Sequence, residues 1–122
     1  EKVKVFGNGE QQRSFTYIED VVDALRRMSG LENSHTFNVG SNITVSLNEV
    51  IKLIEDFSGK NANIENLERA YKDPDVVRPN LEKINEAIGW EPTTKIHDGI
   101  EKTVSWYKEN EDYLKDLVYV NE

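Results

Sequence analysis

The stretch GNGEQQRSFTY, residues 7–17, sets a single arginine among glycines, amides and aromatics. Arg13 offers a planar fork of N–H donors that stays charged and matches a phosphate. Gly7 and Gly9 let the backbone bend close to a ligand. Phe15 and Tyr17 alternate, so both can face one side of an extended segment. Tyr17 adds a hydroxyl donor. Such a set of groups suits the binding of a phosphate-bearing ligand rather than the breaking of a bond. The plainer alternative is that Arg13 pairs with a nearby acid, Glu19 or Asp20, and that the aromatics are core.

Other chemistry is sparse. The chain has no cysteine, which removes thiolate catalysis and thiolate metal sites. His35 and His97 lie far apart, without ligand-like spacing, and read as surface or turn residues. Neither a phosphate-binding G-x-x-x-x-G-K-[ST] loop nor a G-x-S-x-G elbow occurs. Gly7-Asn8-Gly9 runs on into glutamines and Arg13, so a dinucleotide fingerprint fails at its third glycine. Acidic pairs such as Asp73 with Asp75 and Glu109 with Glu111 read as solvated faces in so acidic a chain.

The chain carries 23 acidic and 15 basic residues over 122 positions, a net charge of -8. That balance argues against a nucleic-acid partner, because the phosphate backbone rewards positive surface. Apolar runs are too short to span a membrane, and no basic-then-apolar leader is present. With no cysteine, these features predict a cytoplasmic protein. The first residue is Glu1 rather than Met, which predicts a trimmed or partial chain. The length fits one domain with a core of its own.

The elements that position Arg13 can be read from periodicity. VKVF (residues 3–6) predicts a short strand, and Asn8-Gly9 a turn. Ile18, Val21, Val22, Leu25 and Met28 predict one apolar face of a helix from Tyr17, closed by Gly30. Glu19 and Asp20 suit its first-turn dipole. Residues 35–39 (HTFNV) predict a second strand. Ile43 to Leu47 is another apolar stretch, and Ser46-Leu-Asn-Glu49 is a capping box. The helix it opens carries Leu47, Val50, Ile51, Ile54 and Phe57, and stops at Gly59. A third strand is expected within residues 62–67, and a loop over 68–79. Asn80 caps a short helix with Leu81, Ile84, Ala87 and Ile88 inward, ended by Gly89. A turn at Trp90-Glu91-Pro92 precedes a last helix over about 98–117, with Ile100, Val104, Tyr107, Leu114 and Leu117 inward. Trp90 and Trp106 read as core. Short strands alternating with about four helices make the class α/β, mixed. The strands are too few for a full doubly wound sheet, which points to an incomplete unit.

Four segments in order carry a family resemblance. GNGEQQRSFTYIEDVVDAL resembles the G-x-G-x-Q-x-R-x-F-x-Y-x-x-D segment of extended short-chain dehydrogenase/reductases acting on nucleotide sugars. FNVGSNITVSLNEVIKLI resembles their N-x-G segment and Ser-capped helix. RPNLEKINEAIGWEP is similar to their R-P-D-x-S-K-A-x-x-x-L-G-W-x-P segment, and DGIEKTVSWYKEN to their terminal helix. The pattern is that of NAD-dependent sugar-nucleotide epimerase/dehydratase enzymes, UDP-glucuronate decarboxylase and UDP-glucose 4-epimerase among them. The spacing from DPDVVRPN to GWEP is similar to that of decarboxylase-like members.

The resemblance implies that residues 1–122 form one domain. This would be the C-terminal substrate-binding lobe of a Rossmann-type enzyme, without the Rossmann core. Arg13 would then contact the diphosphate of a UDP-sugar, with Gln11, Phe15 and Tyr17 lining the same pocket. Arg78 is the expected second phosphate ligand. An alternative alignment puts the family's arginine at Val77, and Arg69 is a fallback. Asn80 departs from the family's aspartate, and Glu82-Lys83 from its Ser-Lys; both changes read as structural, since Asn or Asp can cap that helix.

The family's chemistry uses NAD and a Tyr-x-x-x-Lys pair. Here Tyr17 leads to Val21, Tyr71 to Asp75, Tyr107 to Glu111 and Tyr113 to Leu117. The chain alone is therefore expected to hold no NAD and no catalytic residue. Its implied partners are a nucleotide sugar and a Rossmann domain in cis or in trans, with homo-oligomerisation open. The competing expectation is a free-standing binding or assembly module derived from that lobe.

Overall fold

The VKVF run forms β1 (Val3–Phe6). The computed structural model describes residues 2–69 and 74–112. After the turn at Asn8, whose Oδ1 accepts from the Glu10 amide, a second strand follows, β2 (Gln12–Arg13). Helix α1 (Ile18–Met28) comes next, then β3 (Val45–Ser46) and α2 (Leu47–Ser58). The rest comprises β4 (Ile64–Leu67), β5 (Val76–Val77), α3 (Glu82–Ile88) and α4 (Ile96–Glu109). The class is mixed α/β, as the alternation predicts.

Two small sheets organise these elements. β1 pairs in parallel with β4, Val3 opposite Ile64 and Phe6 opposite Leu67. β2 lies between two partners. It runs antiparallel to β3 and parallel to β5, Gln12 opposite Val76 and Arg13 opposite Val77. Part of the expected 68–79 loop is therefore a strand. Its pairing is with a segment remote in sequence, which local periodicity cannot reveal.

The local capping rules hold. Ser46 Oγ accepts from the Glu49 amide at 3.1 Å, and the Glu49 carboxylate accepts from the Ser46 amide at 2.7 Å. Donation to that carboxylate from the Ser46 amide first, and from the Ser46 hydroxyl (2.8 Å) next, holds the Glu49 carboxyl below its usual range. Helices α2 and α3 end on left-handed Gly59 and Gly89. Helix α1 ends through Ser29 in a right-handed conformation, and Gly30 plays no left-handed role. Asn80 is not the N-cap of α3: that position is Leu81, which offers no side-chain cap, and Asn80, one residue earlier, accepts from the Glu82 amide through Oδ1 at 2.8 Å.

The main core joins Ala24 of α1 to Leu81, Ile84 of α3 and Trp90, with Met28, Phe37, Val39 and Ile88 around it. A second contact packs α2 on α4, where Val50 and Val104 are buried. One interaction orients α1. Asp20 is buried, and its carboxylate accepts from the Thr94 amide (3.0 Å), the Thr93 hydroxyl (3.0 Å) and the Thr93 amide (3.3 Å). Its carbonyl accepts from Trp90 Nε1 at 3.1 Å.

That anchor corrects the expected face of α1. Ile18, Val22 and Leu25 are 63, 54 and 56% exposed, whereas Asp20 and Ala24 are buried. The helix is rotated so that the satisfied carboxylate and the small Ala24 meet Trp90. Residues 35–39 form no strand. Phe37 and Val39 are half-buried against the core, but neither sheet reaches this segment, and a strand needs a neighbour for its N–H and C=O groups. Ala87, Tyr107 and Trp106 are exposed rather than inward. Leu114 and Leu117 lie outside the described residues.

Burial alone would raise the Asp20 carboxyl, but the hydrogen bonds from Thr94 and Thr93 outweigh it and lower the pKa. A lowered folded-state pKa contributes stability that is complete above the unfolded value and is lost as pH falls through the folded one. Asp20→Ala is expected to lower stability at neutral pH by about 2–3 kcal/mol. The deficit should shrink as the pH drops below about 4, where the wild-type carboxylate is itself titrated. Urea melts at pH 7 and pH 3 measure both effects.

Candidate functional site

Three remote stretches meet at one cleft. The β2–β5 register sets Val77 beside Arg13, so Arg78 is the next residue past Arg13's strand partner. The loop before Ile43 closes the other side. Ser14 Oγ donates to the Ser41 carbonyl at 2.6 Å and accepts from the Ser41 amide at 3.1 Å. The result is a cleft of about 480 Å³ lined by Arg13, Ser14, Thr16, Asn38, Val39, Gly40, Val77, Arg78, Pro79 and Asn80. Its polar lining residues are two arginines, two hydroxyl residues and two asparagines. Among the described residues no carboxylate lines it.

Arg13 is held in place. Its Nη1 donates to the Gln12 carbonyl (2.8 Å) and to the Pro74 carbonyl (3.1 Å). The acids suggested as its partners are engaged elsewhere: Asp20 by Thr93 and Thr94, Glu19 by Lys102 at 3.5 Å. Arg78 is exposed and makes no hydrogen bond or ion pair with another described residue. It also lines a wider polar trough of about 630 Å³ with Asn42, Asn85 and Glu91. Asn38 Nδ2 donates to the Asn80 carbonyl at 3.3 Å, tying the cleft's two rims together.

The other expected site residues lie elsewhere. Phe15 and Tyr17 line a separate cleft of about 340 Å³ with Thr94, Lys95 and Gly99, and Thr16 borders both. Lys102 Nζ sits 5.0 Å from the centre of the Tyr17 ring. Gln11 is only 7% exposed and lines neither cleft. Its Nε2 donates to the Phe6 carbonyl, and its Oε1 accepts from Arg69 Nη2 at 2.7 Å. Alternation accounts for Phe15 and Tyr17 sharing one wall. Arg13 is separated from them because β2 ends with it and the chain then turns into α1.

Asn38, Gly40 and Pro79 line the arginine cleft, yet no local pattern assigns them to it. The N-x-G and R-P motifs mark their segments, and only the fold places them against Arg13. His97 packs edge-on to Phe57 at 4.8 Å and touches Asp98, while His35 stacks on Phe37. Among the described residues no cluster of His, Asp or Glu could hold a metal ion. No described helix is long and apolar enough to cross a membrane.

The Gly7–Gly9 turn does not fit a dinucleotide. A pyrophosphate cradle leads from strand to helix N-terminus, and here the turn leads into β2. The space at Gly9 is already filled by the Asn48 carboxamide.

Comparison with known proteins gives a consistent set. The profile of the GDP-mannose 4,6 dehydratase family matches residues 1–103. The chain is 32% identical over 116 residues to the UDP-glucuronate 4-epimerase of Thermodesulfobacterium geofontis, covering 94% of this chain and 36% of that protein. It is 28% identical to UDP-glucuronic acid decarboxylase 1 of Xenopus tropicalis, covering 98% of this chain and 28% of that one. The UDP-glucuronic acid 4-epimerase of Bacillus cereus, solved with UDP-glucuronic acid and NAD, superposes with a TM-score of 0.77 at 25% identity. That match covers 88% of this chain and 35% of the epimerase. The chain thus spans about a third of the length of these relatives.

Gly40 tests how tightly the cleft is built. A Cβ there would fall 2.9 Å from Pro79 Cγ, a ring atom whose only freedom is the pucker of the ring. Gly40→Ala is expected to cost about 1–3 kcal/mol of stability through this overlap, and to shift the NMR signals of Arg78 and Asn80. Thermal melts and heteronuclear spectra check it.

Proposed function

Because the chain belongs to the GDP-mannose 4,6 dehydratase family, and with it to the extended short-chain dehydrogenase/reductases, we propose that residues 1–122 are the nucleotide-sugar-binding lobe of an NAD-dependent enzyme. The ligand is a UDP-sugar, and its diphosphate lies in the Arg13–Arg78 cleft. The single observation that carries this reading is that cleft. It gathers two arginines, two hydroxyl residues and two asparagines in a chain whose net charge is -8. Paired arginines give a diphosphate charge-assisted, geometrically matched donors.

Catalysis needs more than this lobe. The described turn at Gly7–Gly9 does not fit NAD, and the chain has no Tyr-x-x-x-Lys. The cofactor and the hydride chemistry belong to a Rossmann domain, in cis or in trans. The exposed stripe of Ile18, Val22 and Leu25 supports such a partner, since an apolar face of this kind favours burial against another surface.

Calorimetric titration with UDP tests the binding role. Arg13→Ala is expected to weaken UDP binding by about 1.5–3 kcal/mol, with little change in melting temperature. Unchanged affinity would count against the phosphate role, and so would collapse of the fold. A second measurement addresses the partner. An immunoblot of the source cell is expected to show a band well above the size of 122 residues. A band at that size would favour the free-standing binding module instead.

A further inference from the structure

Arg69 lies behind the cleft, and the proposed binding role leaves it unexplained. Its guanidinium bridges three segments. Nη2 donates to Gln11 Oε1 at 2.7 Å, Nε reaches the Phe6 carbonyl at 3.5 Å, and Nη1 lies 3.7 Å from Asp75 Oδ1. Gln11 closes the set by donating to the same Phe6 carbonyl at 2.9 Å. The approach is close: a Cβ on Gly7 would fall 2.7 Å from Arg69 Nε, and Gly7 has a φ of +83°. Only glycine allows both that contact and that backbone.

The far end of this bridge is the strand that delivers Arg78. Asp75 gives its carbonyl to the Gln12 amide at 2.7 Å, Pro74 gives its carbonyl to Arg13, and Val76–Val77 lead directly to Arg78. A two-residue ladder fixes register weakly by itself. The Asp75 side chain is 92% exposed, so its ion pair with Arg69 contributes little stability. Its effect is geometric.

Building on the diphosphate reading, we infer that Arg69 and the buried Gln11 form a latch that sets β5 against β2 and so positions Arg78 opposite Arg13. Arg69 is a positioning residue that does not touch the ligand. This also gives Gln11 a role behind the cleft wall.

The test uses the 122-residue chain and inorganic pyrophosphate as the probe. Arg69→Gln is expected to weaken pyrophosphate binding about tenfold, and Arg78→Ala by a similar factor. The double variant should be no weaker than Arg78→Ala alone, because a mispositioned arginine and a missing one lose the same contact. Hydrogen exchange at the Gln12 amide should quicken in Arg69→Gln while α2 amides stay protected. Arg69→Lys keeps the charge but cannot span Gln11 and Asp75 together, so it should behave like Arg69→Gln. Additive losses, full rescue by lysine, or unchanged exchange at Gln12 would overturn the latch. Should the unaltered chain fail to bind pyrophosphate, the diphosphate reading falls. Exchange at Gln12 then decides the latch alone, faster exchange supporting it and unchanged exchange overturning it.

Discussion

Asp20 is a carboxylate removed from water and kept ionised by the amides of Thr93 and Thr94 and the Thr93 hydroxyl. A buried charge is tolerated only when its hydrogen bonds are complete. The position of α1 relative to residues 90–94 is therefore narrowly determined. Trp90, 1% exposed, is tied to the same residue through its indole N–H, and Ile84 and Leu81 pack around it. Residues 14–17 lead straight into α1, so the wall of the arginine cleft inherits its placement from this one anchor.

The cleft itself rests on minimal secondary structure. Strands β2, β3 and β5 are two residues each, and such short ladders need support. It comes from side chains that bond across segments: Thr44 to Gln12, Asn48 to the Asn8 carbonyl and Glu10, Ser14 to Ser41. The cleft's electrostatics are equally local. A chain of net charge -8 repels an anion at long range, but that field fades over about 8–10 Å at physiological salt. Among the described residues that line the cleft, Arg13 and Arg78 are the charged ones.

Two features depart from what local periodicity predicts. Ile18, Val22 and Leu25 form an exposed stripe on α1, and the β-prone segment 35–39 has no strand neighbour among the described residues. The relatives are about three times as long as this chain. On the proposed reading the α1 stripe is the face that a further domain covers.

Local rules made much of this chain legible. The Ser46–Glu49 capping box and the glycine stops at Gly59 and Gly89 depend on residues within four positions of one another. The GNGEQQRSFTY motif likewise singled out Arg13, and the diphosphate role given to it is part of the proposed function. What residue order did not reveal depends on partners far away in the chain. Whether Ile18 or Asp20 faces the core is decided by Thr93, Thr94 and Trp90. Whether 35–39 is a strand is decided by the presence of an edge to pair with. Whether Gln11 or Arg78 shares a cleft with Arg13 is decided by the β2–β5 register. Periodicity reports which side chains share a face, but only tertiary packing decides what that face meets, because burial and hydrogen-bond satisfaction are settled between segments rather than within them.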